Sequence, residues 1–377
     1  MQSLDRRTFL QAAAVSAPAV LAAAEVKPEW RNRQSGMAYR QFGRTGIMIS
    51  EVVSGGDPIR SNNWEHLNLA IEMGLNYLDM APAYGNGDCE LSYGKLLGGS
   101  AKREKVFLTT KISAYGSTRN RMYEEIFKGL PAEKQNAIRK RAEEMVAERG
   151  VAKPGYMLEY YPGLPNPIVP TYICNAMRKD YGHKVEGSKP FKAIITKSVE
   201  DSLKRVGTDY FDTVMCPHGA YSPEDLDNPE IRETMFALRK QGKLRFIGVT
   251  SHFDAGGILS KAAKLGHYDV AMVSYNVING GYVERGLAEA KAAGMGVIAM
   301  KAAMAVATHH KSLQPIPQWR IDKVDRIIPG DMKPPMKAYV WALQNPNLTA
   351  VVSNLWDKNF IRENLSLAGK KVEMQPA

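Results

Sequence analysis

Short apolar runs alternate along most of this chain with longer segments whose apolar residues recur at helical spacing. Eight of the runs have the length and the apolar content of strands that are buried on both faces. The predicted strands are residues 50–55, 76–80, 105–111, 211–217, 244–250, 269–275, 296–301 and 349–353. The predicted helices include residues 62–73, 191–205, 229–241, 255–264, 283–293 and 335–344.

This alternation predicts the fold class. Eight βα units favour an α/β protein with a closed (β/α)8 TIM barrel over an open, doubly wound sheet. The dinucleotide fingerprint G-x-G-x-x-G does not follow the first predicted strand, which also counts against the open sheet. A chain of 377 residues with 44% hydrophobic content can bury the core of one such domain.

Residues 113–190, after the third predicted strand, form a connection far too long for a turn. Within this insertion, residues 133–149 have helix-forming composition, whereas residues 157–172 are rich in proline and aromatic residues and predict irregular structure. A loop at this end of a barrel usually covers or shapes the active site. We therefore interpret the insertion as a lid or a substrate wall, with a surface elaboration or a subunit contact as the alternative.

A second long connection, residues 302–333, follows the seventh predicted strand. It contains the adjacent histidines His309 and His310, followed by Trp319 and Arg320. Adjacent side chains rarely converge on one metal ion, so we interpret this connection as a solvated loop and not as a metal site.

Four polar residues follow predicted strands at the end where barrel enzymes carry out their chemistry. Asp79 and Tyr84 lie in NYLDMAPAYG, Lys111 ends VFLTTK, and His218 ends FDTVMCPH. A lysine ammonium beside a phenol favours the phenolate, and a carboxylate can hold that lysine in place. A histidine adds a donor that can orient a carbonyl oxygen. This set is suited to proton donation to a carbonyl while another group delivers hydride.

With these four residues in place, the chain resembles the aldo-keto reductase family. Residues 39–50 are similar to the amino-terminal hairpin that closes the barrel floor in that family, and residues 198–212, 242–251 and 360–367 match further family segments in order. The resemblance covers residues 38–369, with residues 113–190 as an insertion within the barrel. It implies an NAD(P)-dependent oxidoreductase that interconverts a carbonyl and an alcohol by hydride transfer. Tyr84 would be the proton donor, with Asp79, Lys111 and His218 as the other catalytic residues.

The same resemblance implies a set of cofactor-binding residues. These are Ser251, His252, Met300, Lys301, Asn354, Glu363 and Asn364. The match is weaker here than at the catalytic residues, because Met272 replaces a glutamine that contacts the carboxamide in the family. Phe360, Asn354 and Leu355 stand where the family has groups near a 2′-phosphate, with Lys358 or Arg362 as candidate substitutes. The resemblance favours NADP as the cofactor and leaves NAD open, with a small carbonyl or sugar-like compound as the substrate.

Composition adds little to this interpretation. The net charge of +11 attracts anions, but no run of lysine and arginine is interleaved with aromatic residues, so we expect solvated surface and no nucleic-acid partner. Cys89, Cys174 and Cys216 lack C-x-x-C spacing, so no structural metal is expected.

Residues 1–24 have the form of a twin-arginine export signal. Arg6 and Arg7 precede an alanine-rich apolar stretch, and a small-x-small site follows at residues 22–24. The apolar stretch is too short and too weakly hydrophobic to predict a stable membrane span. We therefore expect recognition by the twin-arginine export machinery and a periplasmic or otherwise exported protein. The alternative is an ordinary basic amino terminus on a protein that stays inside the cell.

Two other functional classes remain open from the sequence. One is a nucleotide-sensing or partner-binding barrel that has kept the four polar residues but lost turnover, and the weak nucleotide match favours that class. A metal-dependent isomerase or hydrolase is the least supported, because the strand ends carry no recognisable cluster of carboxylates and histidines. The sequence does not indicate the specific substrate or the physiological direction of the reaction.

Overall fold

Eight parallel strands close into a barrel in the computed structural model, which describes residues 27–376. The barrel strands are β4 (Val52–Gly55), β5 (Tyr77–Asp79), β6 (Phe107–Lys111), β7 (Phe211–Met215), β8 (Leu244–Ser251), β9 (Val270–Ser274), β10 (Gly296–Met300) and β11 (Ala350–Ser353). Each strand pairs with the next in the chain, and β11 pairs with β4. The predicted (β/α)8 barrel is therefore confirmed, and all eight predicted strands are present.

The helices lie between the strands. Their bounds are α1 (Leu67–Glu72), α2 (Asp88–Leu97), α3 (Ser100–Arg103), α4 (Tyr115–Lys128), α5 (Ala132–Arg149), α6 (Ile168–Val185), α7 (Lys189–Val206), α8 (Pro229–Lys240), α9 (Ala255–Leu265), α10 (Gly280–Ala292), α11 (Gln318–Ile327), α12 (Pro334–Gln344) and α13 (Lys358–Leu365).

A small sheet closes the floor of the barrel. Strands β2 (Tyr39–Gln41) and β3 (Ile47–Ser50) form the predicted antiparallel hairpin, and β1 (Glu29–Trp30) adds a parallel strand that the sequence did not reveal. At the hairpin turn, a Cβ on Gly43 would lie only 2.2 Å from the backbone nitrogen of Gly296, so only glycine allows the hairpin to approach β10 this closely. Phe42 then fills the base of the barrel, edge to face with Tyr77.

The pleat of the strands decides which side chains enter the barrel. Tyr77 and Phe107 pack inside it, and because side chains alternate along a strand, Asp79 and Lys111 point to the same interior at the carboxyl end. The intervening residues, such as Leu78 and Leu108, belong to the larger core between the barrel and its helices. Because side chains alternate with a period of two residues, the inward-facing positions of the same strands supply both the apolar floor of the barrel and its polar mouth.

Three segments differ from the sequence prediction. Residues 62–73 were predicted as a helix, but α1 begins only at Leu67, because the Asn63 side chain accepts from Arg60 N at 2.6 Å and donates to Pro58 O at 2.9 Å, which stabilises a turn instead. Residues 157–172 were predicted to be irregular, but α6 begins within them, at Ile168. The proline near the start of this helix lies in its first turn, where proline is tolerated. Residues 302–333, predicted as a solvated loop, contain α11, which contributes Val324 to a second apolar core.

The insertion of residues 113–190 is anchored to the barrel through a buried polar network. Arg119 in α4 donates to Asp225 Oδ1 at 2.8 Å and to Asn175 Oδ1 at 3.1 Å, and Asn175 donates to Ser222 Oγ at 2.8 Å. Asp225 and Ser222 lie in the connection after β7. Removing one member of a buried ion pair costs about 3–5 kcal/mol, because the other charge remains buried without its partner. The base of the insertion is therefore a fixed part of the barrel.

The predicted export signal, residues 1–24, lies outside the described residues. Among residues 27–376, none of the helices combines the length and the apolar character required to cross a membrane.

Candidate active site

The four catalytic residues predicted from the sequence converge at the mouth of the barrel, and Lys111 is at their centre. Its ammonium lies 2.5 Å from Asp79 Oδ1, 3.1 Å from Tyr84 Oη and 3.0 Å from the Met80 carbonyl oxygen. Asp79 and Lys111 are both buried. The three ammonium protons of Lys111 each have an acceptor, so its position relative to the phenol is fixed.

Tyr84 reaches this position through a left-handed turn in the sequence YGNG. Gly85 and Asn86 have φ values of +59° and +53°, a conformation that glycine and asparagine adopt at low cost. At Gly85 a Cβ would also lie 2.5 Å from Arg60 Nε. Four residues separate the end of β5 from this turn, and the phenol contacts Lys111 at the end of β6.

His218 lies against the same phenol. Its ring is edge to face with Tyr84, with centroids 5.9 Å apart, and its Nδ1 is 2.8 Å from Ser113 Oγ. Ser113 Oγ already accepts from Ala83 N at 3.3 Å, which leaves the hydroxyl proton free to be donated to Nδ1. This arrangement favours the tautomer that carries its proton on Nε2.

Ser113 is a site residue that the sequence analysis missed, since it was treated only as the start of the insertion. Its position two residues after Lys111 was the available signal, because residues i and i+2 of an extended segment share a face. The serine links the orientation of His218 to the first residues of the insertion.

Burial sets the protonation of the site. Burial raises the pKa of Tyr84 well above its ordinary value, and the carboxylates of Asp79 and Asp57 raise it further. Burial, together with the nearby Lys111 ammonium, lowers the pKa of His218 to about 3. The sequence analysis expected Lys111 to favour the phenolate, but Asp79 offsets its charge. The phenol is protonated and the imidazole neutral at neutral pH.

A groove of about 410 Å³ extends from the barrel mouth between the connection after β10 and helix α13. Four of the predicted cofactor residues line it: Lys301, Asn354, Glu363 and Asn364. Within residues 27–376, neither the Lys301 ammonium nor the Asn354 amide has a hydrogen-bond partner, whereas Asn364 donates to Ser353 Oγ at 2.6 Å. Met336, Trp356 and Phe360 supply apolar surface to the groove.

Lys301 also connects this groove with the four residues predicted to be catalytic. It has a φ of +63°, an uncommon conformation for a residue with a side chain, and such residues are often found at functional sites. Its burial lowers its pKa, which the carboxylates of Asp57 and Asp79 oppose. A groove with free cationic and amide groups and apolar walls suits a dinucleotide, so the residues present fit the predicted cofactor.

The other three predicted cofactor residues do not line this groove. Ser251 is buried, donates to Ala220 O at 2.7 Å and accepts from Phe253 N at 3.0 Å. Met300 packs inside the barrel beside Met272, so neither side chain offers a polar contact there. His252 lies near the mouth of the barrel, where the charges of Lys301 and Lys111 act on it. The assignment of these three residues to the cofactor remains a prediction.

The rim of the groove carries a cation that the sequence analysis did not select. Lys333 lines the groove and lies 2.6 Å from Glu363 Oε1. Leu355 is fully buried, and Lys358 and Arg362 are not among the lining residues. Lys333 is distant in sequence from the family motif around residues 354–364, so the motif gave no indication of it.

The predicted loop histidines pack against each other. The rings of His309 and His310 lie 4.1 Å apart, and His309 also contacts Trp356 at 5.5 Å between centroids. Within the part of the chain that the structure describes, no three histidine, cysteine, aspartate or glutamate side chains form a group that could hold a metal ion.

Comparisons with curated proteins identify distant relatives. The chain is 24% identical over 237 residues to Aldo-keto reductase AFTS1 of Alternaria alternata, an alignment that covers 58% of this chain and 51% of that protein. It is 24% identical over 218 residues to Aldo-keto reductase YhdN of Bacillus subtilis, covering 55% of this chain and 60% of that protein. The chain therefore spans roughly half of the length of the curated relatives it matches.

Solved structures share the fold across most of the chain. Aldo-keto reductase AKR11C1 from Bacillus halodurans superposes with a TM-score of 0.57 at 18% identity, covering 89% of this chain and 92% of that one. An aldo-keto reductase from Klebsiella pneumoniae, solved in complex with NADPH, gives a TM-score of 0.56 at 15% identity, covering 89% and 91%.

A match of the sequence to a family model means that the family assignment does not rest on the fold alone. The model of the Aldo/keto reductase family matches residues 56–368, which include seven of the eight barrel strands and Asp79, Tyr84, Lys111 and His218. The chain belongs to the aldo/keto reductase family.

Proposed function

We propose that this protein is an NADP(H)-dependent oxidoreductase that interconverts a carbonyl and an alcohol, with Tyr84 as the proton donor. The observation that carries the proposal is the position of Lys111, which hydrogen-bonds Asp79 at 2.5 Å and Tyr84 at 3.1 Å within one buried site. Bound NADPH would supply the hydride that reaches the carbonyl carbon. The side chains of this protein would supply the proton that the carbonyl oxygen receives.

Tyr84 donates its proton to the carbonyl oxygen as negative charge develops there. The phenolate that remains is stabilised by the Lys111 ammonium, which is already in hydrogen-bond contact and needs no rearrangement. Asp79 holds the ammonium in place. In the reverse direction, the phenolate accepts the proton of the alcohol.

His218 orients the carbonyl. With Nδ1 occupied by Ser113, the Nε2 proton is available to the substrate oxygen, and the lowered pKa keeps the ring neutral, so that it hydrogen-bonds without competing as an acid. Ser113 is a positioning residue, because it acts through the imidazole.

The intact hydrogen bonds around Lys111 favour turnover over the alternative of a barrel that only binds nucleotide or a partner. A binding protein has no need for two buried charges placed against a phenol, and such charges are costly to retain without a function. In the cofactor groove, Lys301, Asn354 and Asn364 would hold the dinucleotide. The NADPH complex of the Klebsiella relative supports NADP as the cofactor.

We also propose that the protein is exported through the twin-arginine route, with residues 1–24 as the signal. Support comes from Arg6 and Arg7, the apolar stretch and the small-x-small site. This route carries folded proteins, which suits an enzyme that must acquire a nucleotide before export.

Replacing the phenol tests the proton donor. Tyr84→Phe removes the donated proton and keeps the ring, so turnover should fall by about two to four orders of magnitude, the usual scale of general acid catalysis. Nucleotide affinity should change little. Steady-state kinetics with a test aldehyde and NADPH, beside a fluorescence titration of the same variant, measure both quantities. Reduction at the parental rate would exclude Tyr84 as the donor.

The pH dependence of reduction follows from the two shifted pKa values. Since the pKa of His218 is about 3, the ring is neutral over the assay range, and since that of Tyr84 is raised, the phenol is protonated throughout. The kcat/KM for reduction should therefore be flat between about pH 5 and about pH 9 and fall only above the ordinary tyrosine range, as the phenol ionises. A limb near pH 6.5 that disappears in His218→Asn would contradict a neutral His218.

Nucleotide selectivity tests the role of Lys333. Because Phe360 and Leu355 supply no cation, we expect NADPH to bind more tightly than NADH by no more than about tenfold, or ~1.4 kcal/mol. Lys333→Met should remove most of this preference, whereas Lys358→Met, outside the groove, should keep it. Quenching of Trp356 fluorescence measures both affinities, with Trp356→Phe identifying the signal. A preference of several thousandfold that survives Lys333→Met would show that another residue holds the 2′-phosphate.

Export is tested by conservative replacement of the arginine pair. Arg6→Lys with Arg7→Lys retains the positive charge but removes the pair that defines the signal. The full-length double variant should accumulate inside a bacterial host that exports the parent protein, as measured by cell fractionation. Equal export of both proteins would contradict the twin-arginine route.

A further inference from the structure

The floor of the barrel, at the end opposite the mouth, collects positive charge. Each barrel helix returns the chain from the mouth to the floor before the next strand, so its last turn lies at the floor. Basic residues occupy these last turns: Lys102 and Arg103 in α3, Lys204 and Arg205 in α7, Arg239 and Lys240 in α8, Lys264 in α9 and Lys291 in α10. Since such residues also complement the helix dipoles, they make the floor cationic without by themselves indicating a partner.

Further cations lie near β1, where helix dipoles give no reason for them. Lys27 and Arg33 flank this strand in the chain, and Lys105 lies just before the start of β6; all three side chains are exposed. Two exposed carboxylates, Glu104 and Asp209, lie in the connections that enter β6 and β7 and offset part of this charge. The exposed groups of this edge of the floor therefore remain cationic.

The other carboxylates of this edge are already paired. Asp212 is buried, with one carboxylate oxygen 2.7 Å from Arg245 and the other 3.0 Å from Arg103. Glu29 in β1 lies 2.8 Å from Arg31 and 2.5 Å from Arg245. Three guanidinium groups thus face two carboxylates, so this network adds positive charge to the floor and leaves its acids unable to neutralise the exposed cations.

An exposed tryptophan stands among these cations. Trp30 in β1 is 39% exposed, its ring lies 5.6 Å from that of Tyr39, and the Arg33 guanidinium is 4.3 Å from its centroid. The next residue, Arg31, donates to the Val106 carbonyl oxygen at 2.8 Å, which places this indole beside the start of β6. A tryptophan ring combines an apolar body with a polar N–H, and such rings favour the interface between a membrane and water.

The floor is also the part of the barrel nearest in the chain to the proposed export signal. Only residues 25–28 separate that signal from β1, and four residues span at most about 14 Å. A signal held in a membrane would therefore keep the floor, and not the mouth, against the bilayer. The cytoplasmic surface of a membrane carries a negative potential, which attracts basic residues within about one Debye length, roughly 10 Å.

We propose that the floor of the barrel is a membrane-contacting face that binds the headgroups of anionic phospholipids. Trp30 enters the interface, and Lys27, Arg33, Lys102 and Lys105 approach the headgroup phosphates, which accept hydrogen bonds from their side chains. The contact is peripheral and reversible, and it leaves the mouth open to solvent. It is independent of the chemistry proposed at the mouth, so a failure of one does not affect the other.

Binding of the full chain to lipid vesicles tests the proposal. At low salt, vesicles with about 30% phosphatidylglycerol in phosphatidylcholine should bind the protein at least about tenfold more tightly than vesicles of phosphatidylcholine alone. Raising the salt to about 0.5 M should remove most of the difference, because the Debye length shortens. Co-sedimentation at increasing lipid concentration measures both affinities.

Two variants with the same loss of charge locate the contact. The floor variant should bind the anionic vesicles at least about tenfold more weakly than the parent; it combines Lys27→Gln, Arg33→Gln, Lys102→Gln and Lys105→Gln. The matched control should bind like the parent, because it removes four exposed cations of the insertion, at the other end of the barrel; it combines Lys134→Gln, Lys140→Gln, Lys153→Gln and Lys179→Gln. All these chains share residues 1–24, so their differences report the barrel.

Tryptophan fluorescence tests the orientation. Anionic vesicles with brominated acyl chains should quench part of the emission of the parent, and Trp30→Phe should remove that quenching. Trp319→Phe is the control, because Trp319 is 54% exposed on α11, in the connection that follows β10 at the mouth. This variant should retain the quenching.

Four results would overturn the proposal. They are equal binding to both kinds of vesicle, equal loss of binding in the floor variant and its control, quenching that survives Trp30→Phe, and binding that disappears when residues 1–24 are removed from a chain that circular dichroism shows to be folded. The last result would assign the binding to the signal itself. A chain from residue 25 onward that still prefers anionic vesicles, and loses this preference with the floor substitutions, would support the proposal.

Discussion

The buried ion pair between Asp79 and Lys111 is the interaction on which the site depends. Removing two charges from water is costly, and their attraction alone seldom repays that cost, so the pair is weak evidence for stability. Its geometry explains why it can persist: the Met80 carbonyl and the Tyr84 hydroxyl accept the remaining protons of Lys111. The barrel supplies this geometry because strands β5 and β6 are neighbours and their alternate residues point inward. A shift of either strand by one residue would turn one charge toward the helices and leave the other unpaired.

The same low-dielectric surroundings give the phenol and the imidazole complementary properties. Burial disfavours the charged form of each group, so the Tyr84 phenol stays protonated and the His218 imidazole stays neutral. One group can then donate a proton and the other can orient an oxygen at the same pH. Because Asp79 compensates Lys111, the ammonium assists only when negative charge appears on the phenol oxygen. In the proposed reaction, this assistance would thus be directed to the transition state rather than to the resting site.

Much of the fold and the centre of the site could be predicted from the sequence, for reasons visible in particular residues. The eight strands were predictable because runs such as VFLTTK must be apolar to be buried on both faces, and Asp79, Tyr84, Lys111 and His218 stand at fixed places relative to those runs. The start of α1 could not be predicted, because the Asn63 side chain competes with the helix for hydrogen bonds to the backbone. Ser113 and Lys333 were missed since their contacts, with His218 and Glu363, are made by segments that are distant in the sequence. Of the residues predicted to bind the cofactor, Asn354 and Glu363 line the groove because the motif itself reaches it there.

The insertion illustrates what the sequence could not decide. Its length and its position after Lys111 were compatible with a mobile lid or with a fixed wall. A lid must open at little cost, so its contacts should be few and exposed. Here Arg119 is buried against Asp225, and Tyr160 is buried against Ser274 and Asn276, so opening would expose or separate buried polar groups at two places in the insertion. These contacts favour a wall whose shape is set before substrate arrives. A preformed wall selects its substrate by fit and by paired hydrogen bonds, without drawing on binding energy to close a loop.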